Sequence, residues 1–558
     1  MFNREVPHKT SADVLAANSQ IASYFNAVDN AVSIGDTNKR YQPVNNTSYG
    51  PPPPIHTNTF TTVIISPTAD NTADIYNGYI NAEMKLNIQL NKSIAAWVTE
   101  DSLGDGLGSV KRDLSSPHQV WVGFKNAMDA IEKYEIMANG ISIYTQNNAI
   151  EESYITACAF PEAARRGNCF SHVRHKDIFD MRLPNSCGAY IDFAEKTPTG
   201  SDVHEITIPL KIDLRRFLPI SNIKYLPAFA GKIELRILFG IAGLVVAPVN
   251  PAAVFNKPHA ISQYDIDAIT NEFRPYMESF TMITEYTAPT YNGSGSTSLQ
   301  PIKTYGKLKA TSVNINARMN QVSRCESVIN CFGIASDVYD ALVARYVETP
   351  LTFPTQTISF APLANTLKGK DSVVSSITLT PRFVDSLFLL FPLKQCYRTC
   401  YHNPQLTNYL LQCGGYGSIP GIRHGTVDAD AAMVMEELQN ALNVNCDTLC
   451  LNKDVARSMI YEGDDTRGYK SRDVSNFLIG FATETDNTFQ QGQTSNTPIT
   501  YSFVVNQDKT KTYAANVEVP PILGVLVDST FSIQIRPDGA PAIVEIGAYD
   551  ITSPMMIQ

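Results

Sequence analysis

Apolar and polar residues alternate with a period of two along much of the chain, in runs of five to ten residues cut by Pro, Gly, Asn and Ser. Val203–Leu214 places Val203, Glu205 and Thr207 on one side and His204, Ile206, Ile208 and Leu210 on the other. Lys232–Phe239 turns Ile233, Leu235, Ile237 and Phe239 inward. The densest β pattern is Val120–Ser153. There Tyr134–Ala138 runs into Asn139-Gly140 and Ile141–Thr145 runs out. Asn-Gly between two such runs predicts a two-residue hairpin, because both residues tolerate positive φ. The flanks Val120–Phe124 and Tyr154–Phe160 read as strand-like or partly buried.

Further strands are expected at Thr57–Ser66, Ala82–Val98, Phe280–Tyr286, Leu308–Asn316 and Val328–Phe332. Downstream they recur at Thr355–Phe360, Val373–Thr380, Val384–Phe391, Asn476–Thr483, Ile499–Val505, Tyr513–Val519, Ile522–Val527, Phe531–Ile535 and Ala542–Ile546. Helical spacing is rare. Val14, Ala17, Ile21, Tyr24 and Val28 follow a Ser11 cap, Ser336–Val347 is stopped by Thr349-Pro350, and Asp430–Leu442 is a third candidate.

Helices do not alternate with strands, so a parallel α/β sheet is disfavoured. The expected fold is all-β: two tandem eight-stranded jelly-roll sandwiches with a few short helices and an N-terminal arm. The arm and a Pro-rich linker occupy 1–54, the first jelly roll 55–340 and the second 341–558. The Asn292–Ser298 loop is the alternative boundary. A short echo between Ser312–Arg318 and Ser376–Arg382 is consistent with duplication.

Composition supports two cores. The 558 residues are 44% hydrophobic and only 18% charged, with 26 Tyr and 25 Phe. Net charge is −10, the wrong sign for a protein that coats nucleic acid by itself. Ten Cys without framework spacing read as reduced thiols. Met1–Thr10 is polar, so synthesis without a signal peptide is expected. The apolar run nearest to a membrane span, Ile233–Val249, holds Glu234 and Arg236 and reads as buried strands.

The best metal candidate is Cys396, Cys400, His402 and Cys413, with Cys446 and Cys450 downstream. Three-residue Cys–Cys gaps are not the tight knuckles of structural zinc, so packing thiols are preferred, with metal binding or disulfides left open. His172 and His175 lie in a basic stretch, Ala163–Asp177, that reads as a solvated loop, with contact to an acidic neighbour or nucleic acid as its functional alternative and no ligand pattern for a metal. Gly104, Gly106 and Gly108 lack the strand–helix context of a phosphate loop. Asp464 and Asp465 beside Arg467 read as a solvated tip. No catalytic, cofactor or metal residue is assigned, and no enzyme is expected. A cupin-like enzyme would need a His-rich strand pattern that nine scattered His do not form.

Several islands resemble the major capsid proteins of the double jelly-roll lineage: Gly123-Phe124-Lys125, Ile131-Glu132-Lys133-Tyr134, Asn139-Gly140, Tyr144-Thr145-Gln146, Glu151-Glu152, Ile208–Leu214 and Arg216-Phe217-Leu218-Pro219. Asn408-Tyr409-Leu410 leading to Gly414-Gly415-Tyr416 adds one in the second half. The nearest group is that of Polinton-like viruses, virophages and related eukaryotic DNA viruses, within the adenovirus hexon-like lineage. The resemblance implies a virion protein. It implies self-association into pseudo-hexagonal homotrimeric capsomers that tile an icosahedral shell, with neighbouring capsomers, penton and minor capsid proteins as partners. It places Glu100–Pro117, Asn250–Phe273 and Asp464–Arg472 in outward towers and the arm at the base. The alternative reading is a β-sandwich receptor-binding spike or adhesin.

Overall fold

A computed structural model describes residues 42–45, 59–67, 71–94, 98–99, 118–159, 187–193, 200–249, 274–275, 280–287, 290–292, 302–304, 307–333, 336–379, 384–413, 417–418, 431–442, 477–482, 499–510, 512–537 and 541–548. The expected Ser11–Val28 helix, the three tower loops and the basic stretch lie outside these residues.

The first half contains β1 (Gln42–Asn45), β2 (Phe60–Ile64), β3 (Asn71–Ile94), β4 (Val98–Thr99), β5 (His118–Phe124), β6 (Ile131–Ala138) and β7 (Ile141–Gln146). Helix α1 (Ala149–Ala159) follows, then β8 (Gly188–Phe193), β9 (Gly200–Asp213), β10 (Tyr225–Pro227), β11 (Ile233–Phe239) and β12 (Leu244–Val249). It ends with β13 (Arg274–Pro275), β14 (Phe280–Thr287), β15 (Thr290–Asn292), β16 (Ile302–Thr304) and β17 (Lys307–Gly333). Helix α2 (Ser336–Glu348) leads to the second half: β18 (Leu351–Pro362), β19 (Ser372–Leu379), β20 (Val384–Leu390), β21 (Leu406–Cys413) and β22 (Gly417–Ser418). Helix α3 (Ala431–Ala441) is followed by β23 (Ile479–Ala482) and β24 (Ile499–Gln507). Helix α4 (Thr512–Asn516), β25 (Ile522–Gln534) and β26 (Ile543–Ala548) close the described chain.

Strand order defines the architecture. In the second half the sheets run β18-β25-β20-β23 and β19-β24-β21-β22. Taken in chain order, one sheet holds the first, eighth, third and sixth strands and the other the second, seventh, fourth and fifth. That is the winding of a jelly roll.

The first half repeats it. β1, β17, β3 and β9 are neighbours in one sheet, and β2, β11, β6 and β7 in the other. Its fourth and seventh strands are each broken once. β5 continues into β6 through a short 3-10 turn, and β11 into β12. Because β12 pairs β5 while β11 pairs β6, the two broken strands run antiparallel along their full length. The chain therefore carries two jelly rolls of the same connectivity.

Alternation explains the strands. β11 reads buried–half-buried throughout, with Ile233, Leu235, Ile237 and Phe239 inward as the pattern predicts. On β3, Ile80, Ala82, Met84, Leu86, Ile88 and Leu90 face the core. Asn139 (φ 51°) and Gly140 (φ 84°) make the expected hairpin turn between β6 and β7.

Trp121 fixes the floor of the first core. It lies under the β5–β8 pair, where a Cβ on Gly188 would collide with its ring and one on Gly123 would collide with the Cys187 carbonyl. Gly188→Ala should therefore cost about 1–3 kcal/mol by overpacking. An unchanged melting temperature would show that Trp121 can move aside.

Several expected elements differ. Tyr154–Phe160 is not strand-like: α1 occupies Ala149–Ala159, and its residues from Ala149 to Cys158 are buried on every side. A helix wrapped by protein on all faces shows no amphipathic stripe. Tyr513–Val519 gives α4 instead of a strand. Leu308–Asn316 and Val328–Phe332 are parts of one strand, β17, which bends through bulges against β3. Ile522–Val527 and Phe531–Ile535 likewise merge into β25. The first described strand is β1, paired with Val328–Cys331 upstream of the expected Thr57–Ser66 strand. The Ser312 and Ser376 echo falls on an eighth and a second strand, so it does not mark equivalent positions.

Candidate functional site

The two jelly rolls interlock through their cores. Leu351, Phe353, Phe531 and Ile533 of the second half belong to the first hydrophobic cluster. In return, Tyr154, Ile155 and Cys158 of α1, with Leu218, belong to the second. Ile155 approaches Gly524 on β25, where a side chain would meet it at 3.5 Å. The Tyr154 ring lies 4.6 Å from that of Tyr401, and its hydroxyl donates to the Phe477 carbonyl at 3.1 Å.

A polar network is buried in the same joint. Arg398 clamps Glu151 with two charge-assisted bonds, Nε to Oε1 at 2.7 Å and Nη2 to Oε2 at 2.5 Å. Lys125 Nζ donates to the Thr399 carbonyl at 3.2 Å. Glu152 accepts from the Tyr134 hydroxyl and from Gln146 Nε2, each at 2.9 Å, and from the Leu218 amide at 3.1 Å. Gln146 Nε2 also reaches the Ile358 carbonyl at 2.9 Å, and the Leu218 carbonyl accepts from Thr355 Oγ1 at 2.9 Å. Both partners therefore tie Glu152 to β18. Asp129 completes the cap of the 3-10 turn and accepts from Ser153 Oγ at 2.6 Å.

Burial pushes the carboxyls of Glu152 and Asp129 each up to about 7. The Leu218 amide, Gln146, Tyr134 and Arg216 pull Glu152 back, and Ser153, Arg216 and Lys125 do so for Asp129. Every hydrogen bond named for Glu152 comes from a donor, which offsets part of the burial effect without cancelling it. Three buried carboxylates (Asp129, Glu151, Glu152) are thus matched by three cations, Lys125, Arg216 and Arg398. Such a set holds one geometry between two elements rather than performing acid–base chemistry on a ligand.

The outer faces of equivalent sheets differ in kind. On β2-β11-β6 the Phe60 ring is roofed by Arg236 at 5.1 Å and Lys133 at 5.9 Å, and Arg236 pairs with Glu135 at 2.9 Å. On β19-β24-β21 the outward rows are Ser372–Asn506–Asn408, Val374–Val504–Leu410, Ser376–Ser502–Gln412 and Thr378–Thr500. No side chain in these rows is charged.

Cys396 is exposed, Cys400 is buried and neither is in a disulfide. His402 is half-buried, and Cys413 ends β21. Among the described residues no group of three or more His, Cys, Asp or Glu side chains could hold a metal. Cys446, Cys450, His172, His175, the Gly104–Gly108 loop and Asp464-Asp465 lie outside the described residues. Arg398 sits inside the Cys396–Cys413 stretch, yet the pattern of residues there does not single it out. Its one signal is a cation set between Tyr397 and Cys400. No described helix is long and apolar enough to cross a membrane.

The connectivity defines a double jelly-roll protein. No family model and no curated protein matches the chain. Among solved structures it is similar to the Sputnik virophage structure determined by cryo-EM, at 10% identity over 92% of each chain with a TM-score of 0.45. The mavirus major capsid protein aligns at 10% identity over 91% of this chain and 92% of that one, with a TM-score of 0.41. The Faustovirus major capsid protein aligns at 9% identity over 92% and 93%, with a TM-score of 0.31.

Proposed function

We propose that this chain is a major capsid protein, a structural component of the virion with no catalytic role. Three copies would form a pseudo-hexagonal capsomer, and capsomers would tile an icosahedral shell. The observation that carries this reading is the rigid pairing of two jelly rolls of one connectivity. A chain with two like corners can make a six-cornered ring from three copies, because a heterologous contact whose rotation closes gives a ring. The joint supports it, since interlocked cores and a clamped ion pair keep the two corners at a constant angle. Division into a 1–54 arm, a 55–340 jelly roll and a 341–558 jelly roll belongs to the same proposal, with β1 the part of the arm built into the first sheet. Neighbouring capsomers, penton and minor capsid proteins are the proposed partners. The net charge of −10 argues against strong direct nucleic-acid binding.

The test is the mass and shape of the purified full chain. Light scattering should give three times the 61.4 kDa chain mass, and electron micrographs should show six-cornered particles. A monomer at all concentrations, binding glycan, would replace this reading with that of a receptor-binding spike.

A further inference from the structure

Because the two jelly rolls share one connectivity, their outer faces can be compared position for position. Solvent-facing strands of an antiparallel sheet normally put apolar residues in and charged ones out. On β2-β11-β6 of the first jelly roll the outward rows intersperse charges with apolar residues: Lys133 and Arg236 cover Phe60, and Glu234 and Glu135 lie between Leu238, Ile64 and Met137. The second jelly roll does not. Val374, Val504 and Leu410 line up across three strands, and the rows on either side of them carry no charged side chain. Val374 is 56% exposed on an edge strand. Leu410 alternates with the inward Tyr409 and Leu411 and so lies in the outward row beside Val504, although it is only 9% exposed.

In the opposite sheet of the same jelly roll, the central strands pack against other elements, with Gly524 on β25 close to Ile155 of α1. All seven residues of β20 are buried, and Gly480 on β23 lies against Leu438 and Ala441 of α3. The β19-β24-β21 face is therefore the one that turns away from the first jelly roll.

We propose that this face docks a second copy of the chain. Such docking rests on the self-association reading and names the surface through which it acts. Charge selects the occupant. Two copies at a net charge of −10 repel, and a heterologous contact costs least where this face brings no charge to it. A cationic partner would instead seek the acidic surfaces and leave an uncharged face alone. The cores of protein interfaces are depleted in charged residues. The flanking Ser376, Ser502 and Gln412 supply hydroxyl and amide groups for the rim.

The experiment uses the full chain and reads mass by light scattering. Val374→Arg should take the oligomer to the 61.4 kDa monomer, while Thr62→Glu on the equivalent face of the first jelly roll should leave its mass unchanged. Equal melting temperatures would confirm that both variants fold. As a milder probe, Ser376→Cys should be labelled by a thiol reagent far more slowly than Thr62→Cys, with each site read by mass spectrometry. A monomeric wild type overturns self-association itself. An oligomeric wild type whose Val374→Arg variant keeps its mass, with Ser376→Cys labelled as fast as Thr62→Cys, overturns only the assignment of this face.

Discussion

Arg398→Ala is expected to destabilise the chain by about 3 kcal/mol, near the lower end of the range for breaking a buried ion pair from one side. The cost does not come mainly from the lost attraction. It comes from Glu151, whose side chain is 4% exposed and would be left without the guanidinium that both of its oxygens accept from. The 21% exposure of Arg398 lets some water reach the gap, which sets the lower end. Removing both charges should cost far less. Glu151→Leu combined with Arg398→Met fills the space and leaves no orphan, so the double variant should lie within about 1 kcal/mol of wild type. Denaturant unfolding of wild type, Arg398→Met, Glu151→Leu and the double variant closes the cycle. A double variant as unstable as Arg398→Ala would mean that the pair contributes through packing alone.

Part of the set that most resembles a known lineage converges on this joint, while Gly123 and Glu132 act within the first jelly roll. Gly123 makes room for the Cys187–Gly188 backbone, Lys125 reaches Thr399, and Glu132 accepts from the Ala242 amide at 3.3 Å. Asn139 donates to the Ala542 carbonyl at 2.9 Å, and Gln146, Glu151 and Glu152 bridge to the second half as described. The hairpin around Asn139-Gly140 is legible in the sequence because turn chemistry and strand period act within a few residues. The joint is not, because its partners lie far apart in sequence, 274 positions for Lys125–Thr399 and 247 for Glu151–Arg398. Local pattern carries no register over such distances.

The same limit hides α1. Of its two glutamates, Glu151 is buried because the second jelly roll supplies Arg398, and Glu152 because Tyr134, Gln146 and the Leu218 amide of the first jelly roll surround it. The uncharged face is partly visible: Ser372–Leu379 and Leu406–Cys413 lack any charge at outward positions. Only the pairing of those strands through β24 turns three separate residues into one apolar row.

Acidity should strengthen this fold. Glu152 and Asp129 have folded-state values of about 7 against ordinary values of 4.5 and 3.8. The folded chain therefore binds more protons than the unfolded chain between about pH 4 and pH 7. Stability from this source is fully present below the unfolded values and is lost as pH rises through about 7. Each group, being fully buried, is worth on the order of 3 kcal/mol across the window, and the two share Arg216, so their sum is smaller than twice that. Glu437, also raised to about 7 beside Tyr409, adds a lesser part because water screens it. Unfolding free energy should accordingly fall between pH 5 and pH 8. Glu152→Gln removes one titrating group and should flatten that slope by roughly half, whatever it does to stability at a single pH. A wild-type profile that rises from pH 5 to pH 8, or a slope untouched by Glu152→Gln, would mean that the joint's three cations hold both carboxylates ionised throughout. The network would then be a charge-balanced clamp at every pH, and its response to acid would have to come from elsewhere on the chain.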